Sequence, residues 1–107
     1  MTIAKNGQPI GDIVFELYQN KNPKTAENFM ALCTGSNPLS KSLVGTVFDK
    51  GFPGLVMQGG VAPKTDDCYC SSNTSAEGIR IPDEDMTLRH HSRGILSMAN
   101  EGENCNG

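Results

Sequence analysis

A chain of 107 residues with 36% apolar residues and a formal charge of -3 is one small domain at most, and at that size only about two-thirds of the unfolded surface can be buried. Its nine basic residues are scattered instead of gathered in a stripe, which argues against nucleic acid as a partner. No window approaches the roughly 18 apolar residues of a spanning helix and MTIAKNGQPIGD lacks an apolar signal core, so neither a membrane anchor nor export is expected and the expected compartment is cytoplasmic.

In chain order, TIAKNGQPIGDIVFELY predicts two strands around Asn6-Gly7, a pair that tolerates the positive φ of a tight hairpin turn. Ile13, Phe15 and Leu17 alternate with Asp12, Val14 and Glu16, so one face is apolar. The period then changes. Asn22 suits an N-cap and Pro23 the first helical position, and Ala26, Phe29, Met30 and Cys33 follow at helical spacing until Gly35. Cys33 is therefore expected on a buried stripe. Residues 36–46 are a polar loop. Next, FDKGFPGLVMQGG (48–60) predicts a strand, a Pro53-Gly54 turn, a second strand and a Gly59-Gly60 stop. Residues 61–87 form a long polar stretch holding the acidic run Asp83-Glu84-Asp85, and loops of that length are often functional. A short strand, Ile95 to Met98, leads into a glycine- and asparagine-rich end.

Cys33, Cys68, Cys70 and Cys105 are expected as free thiols in a reducing compartment. Cys68-Tyr69-Cys70 lacks the spacing of common zinc sites, and with only His90 and His91 to complete a set no metal is expected. Asn73-Thr74-Ser75 fits a glycosylation sequon that has no meaning outside the secretory path.

Three blocks together resemble the cyclophilins: Pro23-Lys24-Thr25-Ala26-Glu27-Asn28-Phe29 with Leu32-Cys33-Thr34-Gly35, Pro53-Gly54 with Met57-Gln58-Gly59-Gly60, and Gly94-Ile95-Leu96-Ser97-Met98-Ala99-Asn100. Their order and spacing match over almost the whole chain. The resemblance implies a mostly β fold, an antiparallel barrel with capping helices, of which about five strands and one helix are present here as a single partial domain over 1–107. It also implies a shallow groove that accelerates cis/trans exchange of X-Pro bonds in protein folding, with no cofactor. That exchange faces a barrier of roughly 18–20 kcal/mol from amide resonance, so a catalyst must hold a twisted amide and draw the nitrogen lone pair out of conjugation. A hydrogen-bonding cation near that nitrogen does so while an apolar pocket grips the proline ring.

By the same resemblance Lys50 occupies the catalytic arginine's place and Gln58 that of the groove glutamine. Phe48, Leu55 and Val56 line the substrate groove, Leu55 and Val56 standing where the family has a phenylalanine and a methionine, and Ala99 and Asn100 form the backbone edge that holds the substrate. Lysine lacks the planar fork of arginine, Asp49 beside it replaces a usual histidine and offers an ion pair, and Val61 replaces a usual aspartate. These departures predict weakened isomerase activity and a poor site for cyclosporin-type ligands. They also leave open a second function, a non-catalytic cyclophilin-like binding or structural subunit of a larger assembly. The family's later strands and second helix find no counterpart in the sequence, so the expectation is that they come from further chain or from a protein partner that completes the barrel. Taken singly, Lys50 reads as a surface lysine, Gln58 as an amide satisfying loop backbone, Leu55 to Met57 as core, His90-His91 as loop, and Asp83-Glu84-Asp85 as a solvated run.

Overall fold

The computed structural model describes residues 1–38, 40–60, 80–100 and 102–106. Cys68, Cys70, the sequon at Asn73 and Val61 lie outside the described residues. The described residues form four strands and one helix: β1 (Thr2–Lys5), β2 (Gln8–Asp12), α1 (Pro23–Thr34), β3 (Lys50–Phe52) and β4 (Val56–Gln58). The strands form two antiparallel hairpins, β1-β2 and β3-β4. This is the mostly β arrangement with one helix that the sequence predicts. No helix among the described residues is long and apolar enough to cross a membrane.

The first hairpin turns at Asn6 (φ 50°) and Gly7 (φ 77°), both in the left-handed region that a two-residue turn requires. Thr2 pairs with Asp12 and Lys5 with Gln8, and a bulge at Ile10 shifts the register, since Ile3 faces Gly11 while Ala4 faces Pro9. The Met1 ammonium donates to the Ile13 carbonyl and the Ile13 N–H donates back to Met1, at 2.9 and 2.8 Å. β2 nonetheless stops at Asp12, short of the strand predicted through Tyr18. The alternation beyond it survives in burial alone: Phe15 and Leu17 are half-buried while Val14 is 93% exposed. The ring of Phe15 meets that of Phe29 edge-on at 5.5 Å, which seats this segment on the helix.

Helix α1 begins and ends where its sequence says, with Pro23 in the first turn and Gly35 left-handed at φ 71°. Its cap does not come from Asn22. The Asn22 side chain makes no capping bond, and its Oδ1 instead accepts from the N–H of Asp85 at 2.9 Å. The cap is Glu84. Its two carboxylate oxygens accept from the N–H groups of Lys24 (3.0 Å) and Thr25 (2.8 Å), and the Thr25 hydroxyl adds a third bond at 2.8 Å. A carboxylate there satisfies free helix donors and faces the positive end of the helix dipole.

The acidic run is thus half-buried and hydrogen-bonded throughout, not a free solvated run. Asp85 accepts from Thr87 and pairs with Lys21 at 3.1 Å, and Asp83 binds Asn104 and Asn106. Burial opposes ionisation of Glu84, but bonds from the Thr25 and Lys24 backbone, the Thr25 hydroxyl and the Lys24 charge outweigh it and hold the carboxyl below its usual value. Bonds from the Thr87 hydroxyl and N–H, then Lys21, hold Asp85 down to about 2.

The buried face of α1 is rotated from the one expected. Ala26, Asn28 and Leu32 are buried, whereas Met30 is 48% exposed and Cys33 is exposed. The reason is tertiary: among the described residues α1 is met by the Phe15 ring, by the acidic run at its N-terminus and by Leu43, whose N–H donates to the Leu32 carbonyl, and Met30 and Cys33 stay exposed. Partial desolvation pushes the Cys33 thiol up, against a smaller downward pull from the N-terminal ammonium. Cys33 is expected to alkylate in the folded protein, slowly at neutral pH and faster as pH rises toward its raised pKa, because the thiolate is the nucleophile. Peptide mapping after native-state alkylation checks this; labelling of Cys33 only in denaturant would contradict it.

Asn37 organises the polar loop after the helix. Its Nδ2 donates to the carbonyls of Ala31 (3.3 Å) and Lys41 (2.7 Å), while its Oδ1 accepts from Lys41 N–H at 2.9 Å. Further on, Ile95 to Met98 is not the strand predicted: the segment carries no ladder, and the nearest pairing is the isolated bridge of Asn100 with Asn106. A strand exists only against a partner, and none of the described segments forms a ladder with it.

Candidate functional site

The hairpin at 48–60 is built by its glycines and proline. Phe52, Pro53, Gly54 and Leu55 form a tight turn closed by Leu55 N–H donating to the Phe52 carbonyl at 2.9 Å, with Gly54 at φ 79°, the sign that a Pro-Gly turn of this kind needs at its third position. β3 and β4 then pair Phe52 with Val56, Gly51 with Met57, and Lys50 with Gln58. The arms stay together past the strands, since Gly60 N–H donates to the Val47 carbonyl at 3.4 Å. Gly59 is required by space: a Cβ there would lie 2.5 Å from Val47 O and 2.7 Å from Phe48 Cα.

Direct pairing decides which side chains share a face. Lys50 and Gln58 are cross-strand neighbours, so their side chains rise from the same face, together with Phe52 and Val56. The face carries a cation, an amide and two apolar groups. Lys50 is exposed and Gln58 half-buried, while Phe52 and Val56 are 56% and 49% exposed. Asp49 forms no ion pair with Lys50; among the described residues the ion pair is Lys21–Asp85.

Phe48 sits at the root of this hairpin, packed against Gly59. Leu55 lies at its tip outside both strands and is 79% exposed, so it does not share the paired face. Ala99 and Asn100 belong to a different segment, and among the described residues no hydrogen bond or ion pair joins them to the hairpin. They are exposed, and Asn100 is held instead by Asn106. Phe52 was missed from sequence although the two-residue period counted from Lys50 points to it. Glu84 was missed as well, and its signal was an absence: the first turn of α1 has no acidic residue of its own.

No group of three or more potential metal ligands occurs among the described residues. His90 and His91 lie in coil, His91 Nδ1 lying 2.9 Å from the Arg89 carbonyl oxygen.

The family model for cyclophilin type peptidyl-prolyl cis-trans isomerase/CLD matches residues 1–107. The chain belongs to the cyclophilin-type family. Membership brings, at the level of the family, isomerase function and the binding of proline-containing peptides. No solved structure matches the chain.

Proposed function

We propose that this cyclophilin-type chain is a slow X-Pro isomerase that acts on proline-containing segments of client proteins, with Lys50 as the cation and Gln58 as the hydrogen-bonding amide. One observation carries the proposal: Lys50 and Gln58 face each other across the β3-β4 ladder, with Phe52 and Val56 on the same face. An ammonium on that face can donate to the prolyl nitrogen as the amide twists and localise its lone pair, while the apolar groups hold the ring. Gln58 can hold a flanking peptide group. A lysine performs this less well than an arginine because its point charge cannot address nitrogen and carbonyl together.

Lys50→Arg is expected to raise turnover of an Ala-Pro peptide about tenfold, and Lys50→Ala to lower it by about 100-fold, the usual range for one well-placed donor. The gain stops short of full efficiency because Val56 offers the proline ring little contact area. Protease-coupled or NMR-exchange kinetics provide the measurement. Full activity surviving Lys50→Ala would remove Lys50 from the mechanism, and a silent wild type with a silent Lys50→Arg would leave a non-catalytic binding subunit as the function.

We also propose that further polypeptide covers apolar surface away from the Lys50 face in the native particle. Val44, Val47 and Met57, none of them on the face shared by Lys50 and Gln58, are all more than half exposed, and Ala26, Leu32 and Ile81 are the buried apolar core among the described residues. The intact native mass tests this, and a particle with the mass of these 107 residues alone would refute it.

A further inference from the structure

Asn106 is a buried, fully hydrogen-bonded polar side chain outside the hairpin. It is 8% exposed, and every polar atom of its amide has work. Its Nδ2 donates to Asp83 Oδ1 at 2.7 Å and to the Ile81 carbonyl at 3.1 Å, and its Oδ1 accepts from Asn100 Nδ2 at 3.3 Å. The backbones of Asn106 and Ile81 bond to each other in both directions, at 2.7 and 3.4 Å.

The orientation of this amide is dictated by its surroundings. Ile81 O and the Asp83 carboxylate are acceptors only, so the NH2 end must face them; the flipped amide would bury oxygen against oxygen. Oδ1 is thereby aimed at Asn100, and Asn100 must turn its own NH2 inward to meet it. Asp83 fixes the base of the arrangement from a second side. Its Oδ2 accepts from Asn104 N–H at 3.1 Å and its own N–H donates to Asn104 Oδ1 at 2.9 Å, which pins the turn that carries Asn106.

We propose that Asp83 and Asn106 are positioning residues for the groove edge at Asn100, acting in series from carboxylate to buried amide to the exposed asparagine. The inference rests on the reading of Ala99-Asn100 as the backbone edge that holds the peptide. Asn100 is exposed, so without this tether its backbone would have to be ordered by the substrate itself, at a cost in affinity. The tether prepays that ordering. Its loss falls on binding, hence on KM, and leaves the cation-dependent step on the hairpin largely unchanged.

The test uses the whole native protein, 15N-labelled and titrated with an Ala-Pro peptide, in four forms: wild type, Asp83→Ala, Asp83→Asn and Lys21→Ala. Asp83→Ala is expected to shift the Asn100 backbone and side-chain NH2 resonances without peptide and to weaken peptide binding about fivefold to tenfold, with kcat changed less than twofold. Asp83→Asn keeps one acceptor and is expected to recover about half of that loss. Lys21→Ala removes the ion pair of the neighbouring Asp85 without touching Asn104 or Asn106, and peptide affinity should not change. A general loss of structure would weaken binding in both Asp83→Ala and Lys21→Ala, and that result overturns the positioning role. So does an Asp83→Ala protein that binds as tightly as wild type. A different result, a wild type that binds peptide without moving the Ala99 and Asn100 amides, overturns the reading of the groove edge itself.

Discussion

Gly59→Ala is expected to destabilise the protein by about 2–3 kcal/mol, the upper range for forcing extra volume into a packed site. The new methyl carbon would sit 2.5 Å from Val47 O and 2.7 Å from Phe48 Cα, and both are backbone atoms. A flexible side chain could swing aside, but here the whole 47–48 arm must move. That arm is held by the Gly60–Val47 hydrogen bond and carries Phe48 at the root of the proposed groove, so peptide binding should fall along with stability. Gly51→Ala is the matched control, because nothing lies within 4 Å of a Cβ at Gly51 and its backbone is an ordinary strand conformation. Thermal unfolding of the two variants separates the cases: a drop of roughly 10 °C or more for Gly59→Ala is expected. Equal melting temperatures for the two would show that the 47–48 arm is not packed as described.

Glu84→Ala is expected to cost about 2 kcal/mol, the upper part of the range for loss of a helix cap, because two helix N–H groups and the Thr25 hydroxyl lose their acceptor together. Glu84→Gln retains a single carbonyl oxygen and should lose roughly half as much. The same carboxylate predicts an acid dependence with a definite sign. A group whose pKa is lowered by folding stabilises the fold where it is ionised in both states, and that contribution disappears as pH falls through its folded pKa. For Glu84 the loss therefore begins below its ordinary value of 4.5, and for Asp85 it runs from 3.8 down to about 2. Wild-type stability should fall as pH is lowered from 5 toward 2, and Glu84→Ala should be flatter over the first part of that range. A Glu84→Ala protein with the wild-type profile would assign the acid sensitivity elsewhere.

Local chemistry was enough for the elements whose partners are close in sequence. Asn6-Gly7 and Pro53-Gly54 have backbone conformations that few other residues accept, so both hairpins could be read directly, whereas the facing of Lys50 and Gln58 came with the register of the second. Pro23 and Gly35 bounded α1 for the same reason. The three blocks that resemble cyclophilins carried the family, which the match over residues 1–107 then showed.

What the tertiary structure alone decided are relations between segments about 20 to 60 residues apart. Periodicity gives the width of a helix's apolar stripe but not which neighbour covers it, so Cys33 was placed inside and lies outside. An acidic run reads as solvated until the donors that meet it are known, and those donors, Lys24, Thr25, Asn104 and Asn106, lie elsewhere in the chain. Ile95 to Met98 has strand composition without a strand partner among the described residues, because pairing is a property of two segments and sequence shows one at a time.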